Sequence, residues 1–556
     1  MTKRQPAASF RWPTTGELRW AAVVAAAVML ITALPYLWGL AIRPSGHYYS
    51  GLLTNPDEHN VYLAYMRQAA DGHVFFVDPF TSEPQRGRVV NVLFLALGIL
   101  GRVAHLPLPI VYHLARLVSG WLLLMAIYCL AAQTLKTTSG RRIALLLAAT
   151  AAGFGWLFHA QGGQPHPIDY GPGLVMPEAV TFLTILLNPL FSLSVFLLIA
   201  VIGLGAHAVL SGSARAAGVA GAAALVLGNI HTYDLMPAAA VLLASLAVLV
   251  AQRRLKARGV AMALVIAAIA MPSLAYQLWL MHSGDVTLIV KSAETPVLSP
   301  PPRYFALGLG LPLLLGIVGA GRAAMRGPDG ARLAALWLVL GFALVYAPHV
   351  PFQRKLAEGV QVPACILAVF ALEPLWTRGA GWRAAFAGGL VVLLSAPSNA
   401  LYVQRALRDL ATNNREYIVN LMPPLYLRQD QYQALRSLGE RASLSDVLLC
   451  NSFLGSYAPS LAGTRVYVGH WAETLHFPQK LEDFSAFLRE DTPQAFRESL
   501  VRDAGITYLL RDESVYDAVF LPPAERSSGG FMPSDMPQFE QVFHQGLVTV
   551  WKWRPG

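Results

Sequence analysis

Charge is scarce in this chain. Asp, Glu, Lys and Arg make up 13% of its 556 residues, against about 25% in a soluble globular protein. That is too little to face water over the whole surface, which excludes an ordinary soluble enzyme. Cysteine is scarcer: three residues in all. Cys129 and Cys365 lie within apolar runs and Cys450 in the polar C-terminal part, so no disulfide framework is implied. Also missing are an internal repeat, a Gly-rich phosphate loop and a metal-ligand spacing such as H-E-x-x-H. Basic residues outnumber acidic ones, 42 to 32. They cluster in short loops between apolar runs, so they read as membrane orientation, and no nucleic-acid partner is expected.

What the chain has in excess is apolar sequence, 55% of its residues. The first run, about 20–42, is too long for a signal-peptide core and no A-x-A-like site follows it. Lys3, Arg4, Arg11 and Arg19 precede it, which predicts an uncleaved first crossing with a cytoplasmic N-terminus. Further runs fall near 110–135, 143–160, 180–210, 216–230, 233–252, 259–281, 303–321, 333–348, 359–376 and 384–402. With about eleven crossings, the basic loops Lys136/Arg141/Arg142, Arg215, Arg253/Arg254/Lys256/Arg258, Arg322/Arg326/Arg332 and Arg378/Arg383 all fall on the cytoplasmic side. One more apolar stretch, 89–104, would break that agreement. It is short and interrupted by Gly98, Gly101 and Arg102, so it is read as a helix lying at the outer interface.

The outer loops are then 43–109, 161–179, 282–302 and 348–358, and the polar tail after about 403 is outside as well. The expected fold is an all-α polytopic membrane domain over 1–402, including the loop 43–109. A small extracytoplasmic α/β domain follows over 403–556. In this tail 428–440 and 491–503 read as helices. Residues 446–450, 465–469 and 506–510 read as short buried strands, and 539–552 as a hairpin turning at Gln545-Gly546.

The most informative segment is NPDEHNVYLAYMRQAADG, 55–72. One reading is local: Asn55 as N-cap, Pro56 at the first helical position, and Asp57 and Glu58 favouring the helix dipole. The other is chemical. Two carboxylates at the outer membrane face can supply the general base that takes a proton from an acceptor hydroxyl or amine. Tyr62, one turn on, is placed with the substrate. His231 and Asp234 in NIHTYDL either line a wet substrate cavity, because a buried Asp is costly in a membrane, or belong to a tight outer turn in which Asn229 and Asp234 cap helix ends. Arg354 and Lys355 can hold a lipid phosphate or snorkel at the interface, and Arg303 is a lesser candidate of that kind. Asn188-Pro189 breaks a long run. His166, Asp169 and Glu178 match no strong ligand spacing. His470, Trp471 and Glu473 either contact an acceptor sugar or form a packed loop after a strand.

A crossing followed by an outer loop that opens a helix with an acidic pair resembles the GT-C superfamily of membrane glycosyltransferases, with its protein O-mannosyltransferases and aminoarabinose transferases. Asp57-Glu58 matches the pair, and DGHVFFVDPF (71–80) stands where the family has a Gly-aromatic-x-Asp-Pro stretch. The segments GFGWL (153–157), PEAVTFLTILLNPLF (177–191), NIHTYDL (229–235), FQRKLAEGVQVP (352–363) and RVYVGHWAETLHFPQK (465–480) are similar to uncharacterised bacterial members. The resemblance implies a sugar donor linked to polyprenyl phosphate, transfer with inversion to a glycan, lipid or protein acceptor on the outer side, and a bacterial cytoplasmic membrane. It implies Asp57 as base with Glu58 assisting. Some members use a divalent metal and others none, and the residues do not decide between them. No sugar-binding-like repeats occur in an outer loop, and TSEPQRGRVV (81–90) stands in place of a Lys-Pro-Pro type segment, so neither named activity carries over. The alternative from another class is a transporter or flippase for a lipid-linked glycan, with His231 and Asp234 on its path. The missing repeat counts against it. A third is a non-catalytic scaffold.

Overall fold

A helix rises 1.5 Å per residue, so crossing a bilayer core of about 30 Å takes roughly 20 residues. The computed structural model describes residues 12–159, 176–283, 294, 296–377 and 381–554. Lys3, Arg4, Arg11, His166, Asp169 and Arg378 lie outside them. Among the described residues, eight helices are long and apolar enough to cross. They are Thr15–Ala41 (α1), Leu108–Thr134, Pro189–Ser211, Thr232–Ala251, Ala257–Met281, Pro302–Arg326, Gln353–Leu375 and Gly381–Thr412. The chain is a polytopic, mostly helical membrane protein with a small strand-containing C-terminal region. The other three expected crossings are shorter helices: Ala214–Ile230 and Asp329–Val345 with 17 residues each, and Thr138–Thr150 with 13.

The chain divides into two compact units. The first comprises Met1–Leu34, His113–Trp279 and Pro296–Gln404. Its interior holds a buried ion pair, Arg141 to Glu17 at 2.8 Å, with Tyr128 and Thr138 also donating to Glu17. The run expected as one crossing over 143–160 stops at Thr150. There Gln361 donates to the Ala151 carbonyl at 2.9 Å and the Ala152 amide donates to Ser395 at 2.7 Å. A Cβ at Gly153 would stand 2.1 Å from the Leu307 carbonyl oxygen, so two backbones meet where a helix would not fit. The break at Asn188-Pro189 is real: Asn188 caps the helix Pro189–Ser211 by accepting from the Phe191 amide at 2.9 Å.

The second unit gathers Pro35–Tyr112, Leu280–Thr295 and Arg405–Gly556. It does not follow the compositional boundary near 403. Strand β1 (His47–Tyr49) pairs antiparallel with β2 (Tyr426–Arg428). A five-stranded sheet has the order β4-β3-β5-β7-β6, with β3 (Val447–Leu449), β4 (Arg465–Val466), β5 (Ile506–Asp512), β6 (Phe539–Gln545) and β7 (Val548–Trp553). Its β3 is parallel to β4 and β5, and β7 is antiparallel to β5 and β6. Both faces are buried. Leu448, Leu510 and Val550 pack with Val61 and Phe80, while Leu449, Leu509 and Trp551 pack with Phe484 and Phe487. The tail therefore shares its core with residues 61–80.

Two helices from the first loop complete this unit, α2 (Pro56–Ala70) and α3 (Val92–Ala104). With 13 residues, α3 is too short to cross. It packs closely on α2: a Cβ at Gly98 would lie 2.3 Å from the Met66 carbonyl oxygen and 2.5 Å from the Ala69 Cβ. Gly98→Val should therefore push the helices apart and destabilise the protein by about 1–3 kcal/mol. Thermal unfolding in detergent reads this as a lowered Tm, and an unchanged Tm would mean that the close approach carries no stability.

Candidate functional site

Asp57 and Glu58 occupy the first turn of α2, as expected, but Asn55 does not cap it. Its backbone is left-handed (φ 44°, ψ 59°) and its side chain makes no capping hydrogen bond, whereas a capping side chain normally rests on an extended backbone. Asp57 is buried, and its Oδ1 has no hydrogen-bond partner. Burial is the largest influence on its carboxyl group and raises its pKa above the ordinary value. Glu58 adds to this, while His470 and the amides of residues 57 and 58 pull it down.

The structure brings His470 to this pair. Its Nδ1 accepts from the amides of Ala472 (3.0 Å) and Glu473 (3.2 Å). A ring nitrogen that accepts carries no hydrogen, so the hydrogen bonds assign the proton of the neutral ring to Nε2. That Nε2 lies 3.9 Å from Asp57 Oδ2 and 3.9 Å from Glu58 Oε1, and it too is buried without a hydrogen-bond partner. A donor and two acceptors at this spacing are too far apart to bond directly, yet a hydroxyl oxygen placed between them can accept from Nε2–H and donate its one hydrogen to one of the carboxylates. The loop is held firmly. Thr474 accepts from the Gly469 amide and donates to the Phe80 carbonyl at 2.7 Å, and Phe80 meets the His470 ring edge-on at 5.9 Å. Trp471 is exposed beside it, its ring parallel to the imidazole. The loop is packed after its strand, and His470 within it faces Asp57 and Glu58. Tyr62 stacks on Phe94 with 5.1 Å between rings and belongs to the wall between α2 and α3.

A second polar group lies inside the first unit. His231 ends the helix Ala214–Ile230, and Asp234 precedes Leu235–Ala251. Asp234 does not cap that helix, which corrects the capping reading. Its Oδ2 instead lies 3.1 Å from His231 Nδ1. Glu358, which the sequence reading passed over, places Oε2 3.0 Å from the same nitrogen. Beside them Arg354 pairs with Glu178 at 2.7 Å, and the Lys355 ammonium stands 4.7 Å over the Tyr233 ring. Arg303 is exposed, its guanidinium over the neighbouring Tyr304 ring, and it makes no ion pair with this group among the described residues.

The chain is thus a polytopic helical membrane protein with a strand-containing C-terminal region and two polar centres that include buried carboxylates. Among solved structures the chain is similar to the mycobacterial arabinofuranosyltransferase AftD, with a TM-score of 0.54 and 15% identity over 99% of this chain and 41% of that one. It is also similar to the oligosaccharyltransferase of Archaeoglobus fulgidus in its apo form, with a TM-score of 0.51 and 13% identity over 93% of this chain and 73% of that one. At such identities the likeness is one of fold. No family model matches the chain, and no curated protein does.

Proposed function

We propose that this protein is a glycosyltransferase that moves a sugar from a polyprenyl-phosphate donor to an acceptor on the outer side of the membrane, with inversion. The observation that carries this reading is the buried His470 Nε2, which faces Asp57 Oδ2 and Glu58 Oε1 at 3.9 Å each and bonds neither. An acceptor hydroxyl there gives its proton to Asp57. Its oxygen attacks the anomeric carbon, and the bond from that carbon to the phosphate oxygen breaks, its electron pair leaving with the lipid phosphate. A carboxyl group raised by burial suits a general base, because proton transfer is most effective when the base's pKa approaches the working pH. The fold shared with two sugar transferases supports the same class. Purified protein given a polyprenyl-phosphate sugar and a hydroxyl acceptor should form glycosylated product. Flipping of the lipid-linked sugar between leaflets without product would overturn the proposal in favour of a transporter.

For the leaving phosphate the candidates remain Arg354 and Lys355. Arg354→Ala would strip the buried Glu178 of its half-exposed partner, and a buried carboxylate left unpaired is destabilising in itself. Lys355→Met is cleaner, since it keeps a stem over Tyr233 and removes only the charge. A charge-assisted hydrogen bond contributes roughly 1.5–3 kcal/mol, so the apparent KM for the lipid donor should rise about 10- to 100-fold. An unchanged KM would return Lys355 to stacking on Tyr233 alone.

A further inference from the structure

We infer that His231, Asp234 and Glu358 form a binding site for one divalent transition-metal ion. The reasons lie wholly within the first unit and do not depend on Asp57 being a base. The three side chains are buried, at 8%, 0% and 1% exposure, and each offers a ligand atom within 4.8 Å of the others. Two carboxylates approach one nitrogen, His231 Nδ1, at 3.1 and 3.0 Å. A nitrogen with one hydrogen can serve only one of them. Asp234 Oδ1 and both oxygens of Glu358 have no hydrogen-bond partner, although a buried carboxylate oxygen left unpaired is costly. The nearby cations do not resolve this. Arg354 is taken up by Glu178, and Lys355 stands over Tyr233. Two carboxyl groups thus share one imidazole in a site shielded from water.

A dication answers this shortage. For metal–ligand bonds of about 2.0–2.2 Å, neighbouring ligand atoms of a tetrahedral or octahedral site lie roughly 3.0–3.5 Å apart. The two Nδ1-to-oxygen distances fall at the short end of that range. One imidazole with two carboxylates favours Zn2+ or Mn2+ over Mg2+, which prefers oxygen ligands alone. Three protein ligands leave at least one position open for water or substrate oxygen. The frame is preset. His231 sits at a helix end with φ −150° and ψ 77°, its ring edge-on to Phe191 at 5.7 Å and to Tyr233 at 5.5 Å. Glu358 stands in the turn before Gln361–Thr377, where Gly359 takes φ +71° and its amide donates to the Glu178 carbonyl.

The test is metal binding by the intact protein in detergent after chelator treatment and dialysis. Calorimetric titration with ZnCl2, together with metal analysis of the dialysed product, should give one tightly bound ion per chain. Co2+ should give a visible absorption band that Zn2+ displaces. Glu358→Gln and His231→Ala should each weaken Zn2+ binding by more than about tenfold, whereas His476→Ala, an exposed histidine paired with Glu294, should leave it unchanged. Wild-type protein that binds neither Zn2+ nor Mn2+ overturns the inference, whatever the variants do. So does Glu358→Gln that is folded by its unfolding transition and binds Zn2+ like the wild type. Failed metal binding would leave the Asp57 proposal standing, because its assay reads sugar transfer.

Discussion

Asp57→Asn should lower the rate of sugar transfer by about 10²- to 10⁴-fold, the usual contribution of a positioned general base, and should at the same time stabilise the fold at neutral pH. Asparagine matches aspartate in shape and still accepts from the amides of residues 57 and 58, but it cannot take a proton. The stability effect follows from the raised pKa of Asp57. A carboxyl group whose folded pKa lies above its unfolded value, near 3.9, adds stability below the unfolded pKa. That stability is lost as pH rises through the folded pKa, at about 1.4 kcal/mol per pKa unit of difference. The buried carboxyl resists ionisation as pH rises, a cost that the variant does not carry. Thermal unfolding across pH 5 to 8 should show Asp57→Asn at or above the wild-type Tm, with the gap widening toward high pH. A variant that transfers sugar normally would remove Asp57 from the chemistry. A clear loss of Tm would mean that its carboxylate serves mainly to start α2.

Much of the membrane part was legible because the length of a crossing is fixed by the bilayer and eight helices meet it. The break at Asn188-Pro189 and the tail strands β3, β4 and β5 were legible for a similar reason, since capping chemistry and short apolar runs act locally. Position 153 was not. The apolar run continues past it, and the contacts that replace the helix there come from far along the chain: Gln361 to Ala151, Ala152 to Ser395, and the backbone at Leu307 and Gly308 beside Gly153. Periodicity carries no record of a partner some 150 residues away in the chain. The common core of Val61 and Phe80 with Leu427 and Leu448 was hidden likewise, because composition separates the tail from the loop while packing joins them.

The two candidate centres divide along the same line. Asp57 and Glu58 are adjacent and follow a crossing, so they stood out. His231 and Asp234 stood out because a charge between apolar runs is costly. Glu358 abuts an apolar run beside the more conspicuous Arg354 and Lys355, and nothing local links it to His231. His470 was weighed only as part of a loop, since its partners lie more than 400 residues earlier in the chain.

His470 makes the sharpest distinction between holding a loop and tuning a base. In His470→Asn the side-chain oxygen takes the place of Nδ1 and can still accept from the amides of Ala472 and Glu473, while the Nε2–H facing Asp57 and Glu58 is gone. In His470→Gln the amide nitrogen falls near the old Nε2 position, while the acceptor for the loop is lost. We expect His470→Asn to fold with a near-wild-type Tm and to lose about 2- to 10-fold in transfer, as for one lost hydrogen bond to the acceptor hydroxyl. The groups facing the Asp57 carboxyl are Glu58, which raises its pKa, and His470 with the amides of residues 57 and 58, which lower it. Removing His470 therefore raises that pKa further. Because transfer needs the ionised carboxylate, the acid limb of the kcat/KM profile should move to higher pH in His470→Asn, and His470→Gln should move it back toward the wild type. A purely structural histidine predicts the reverse pattern: His470→Gln damaged through the loop, His470→Asn close to normal, and the acid limb unmoved in both.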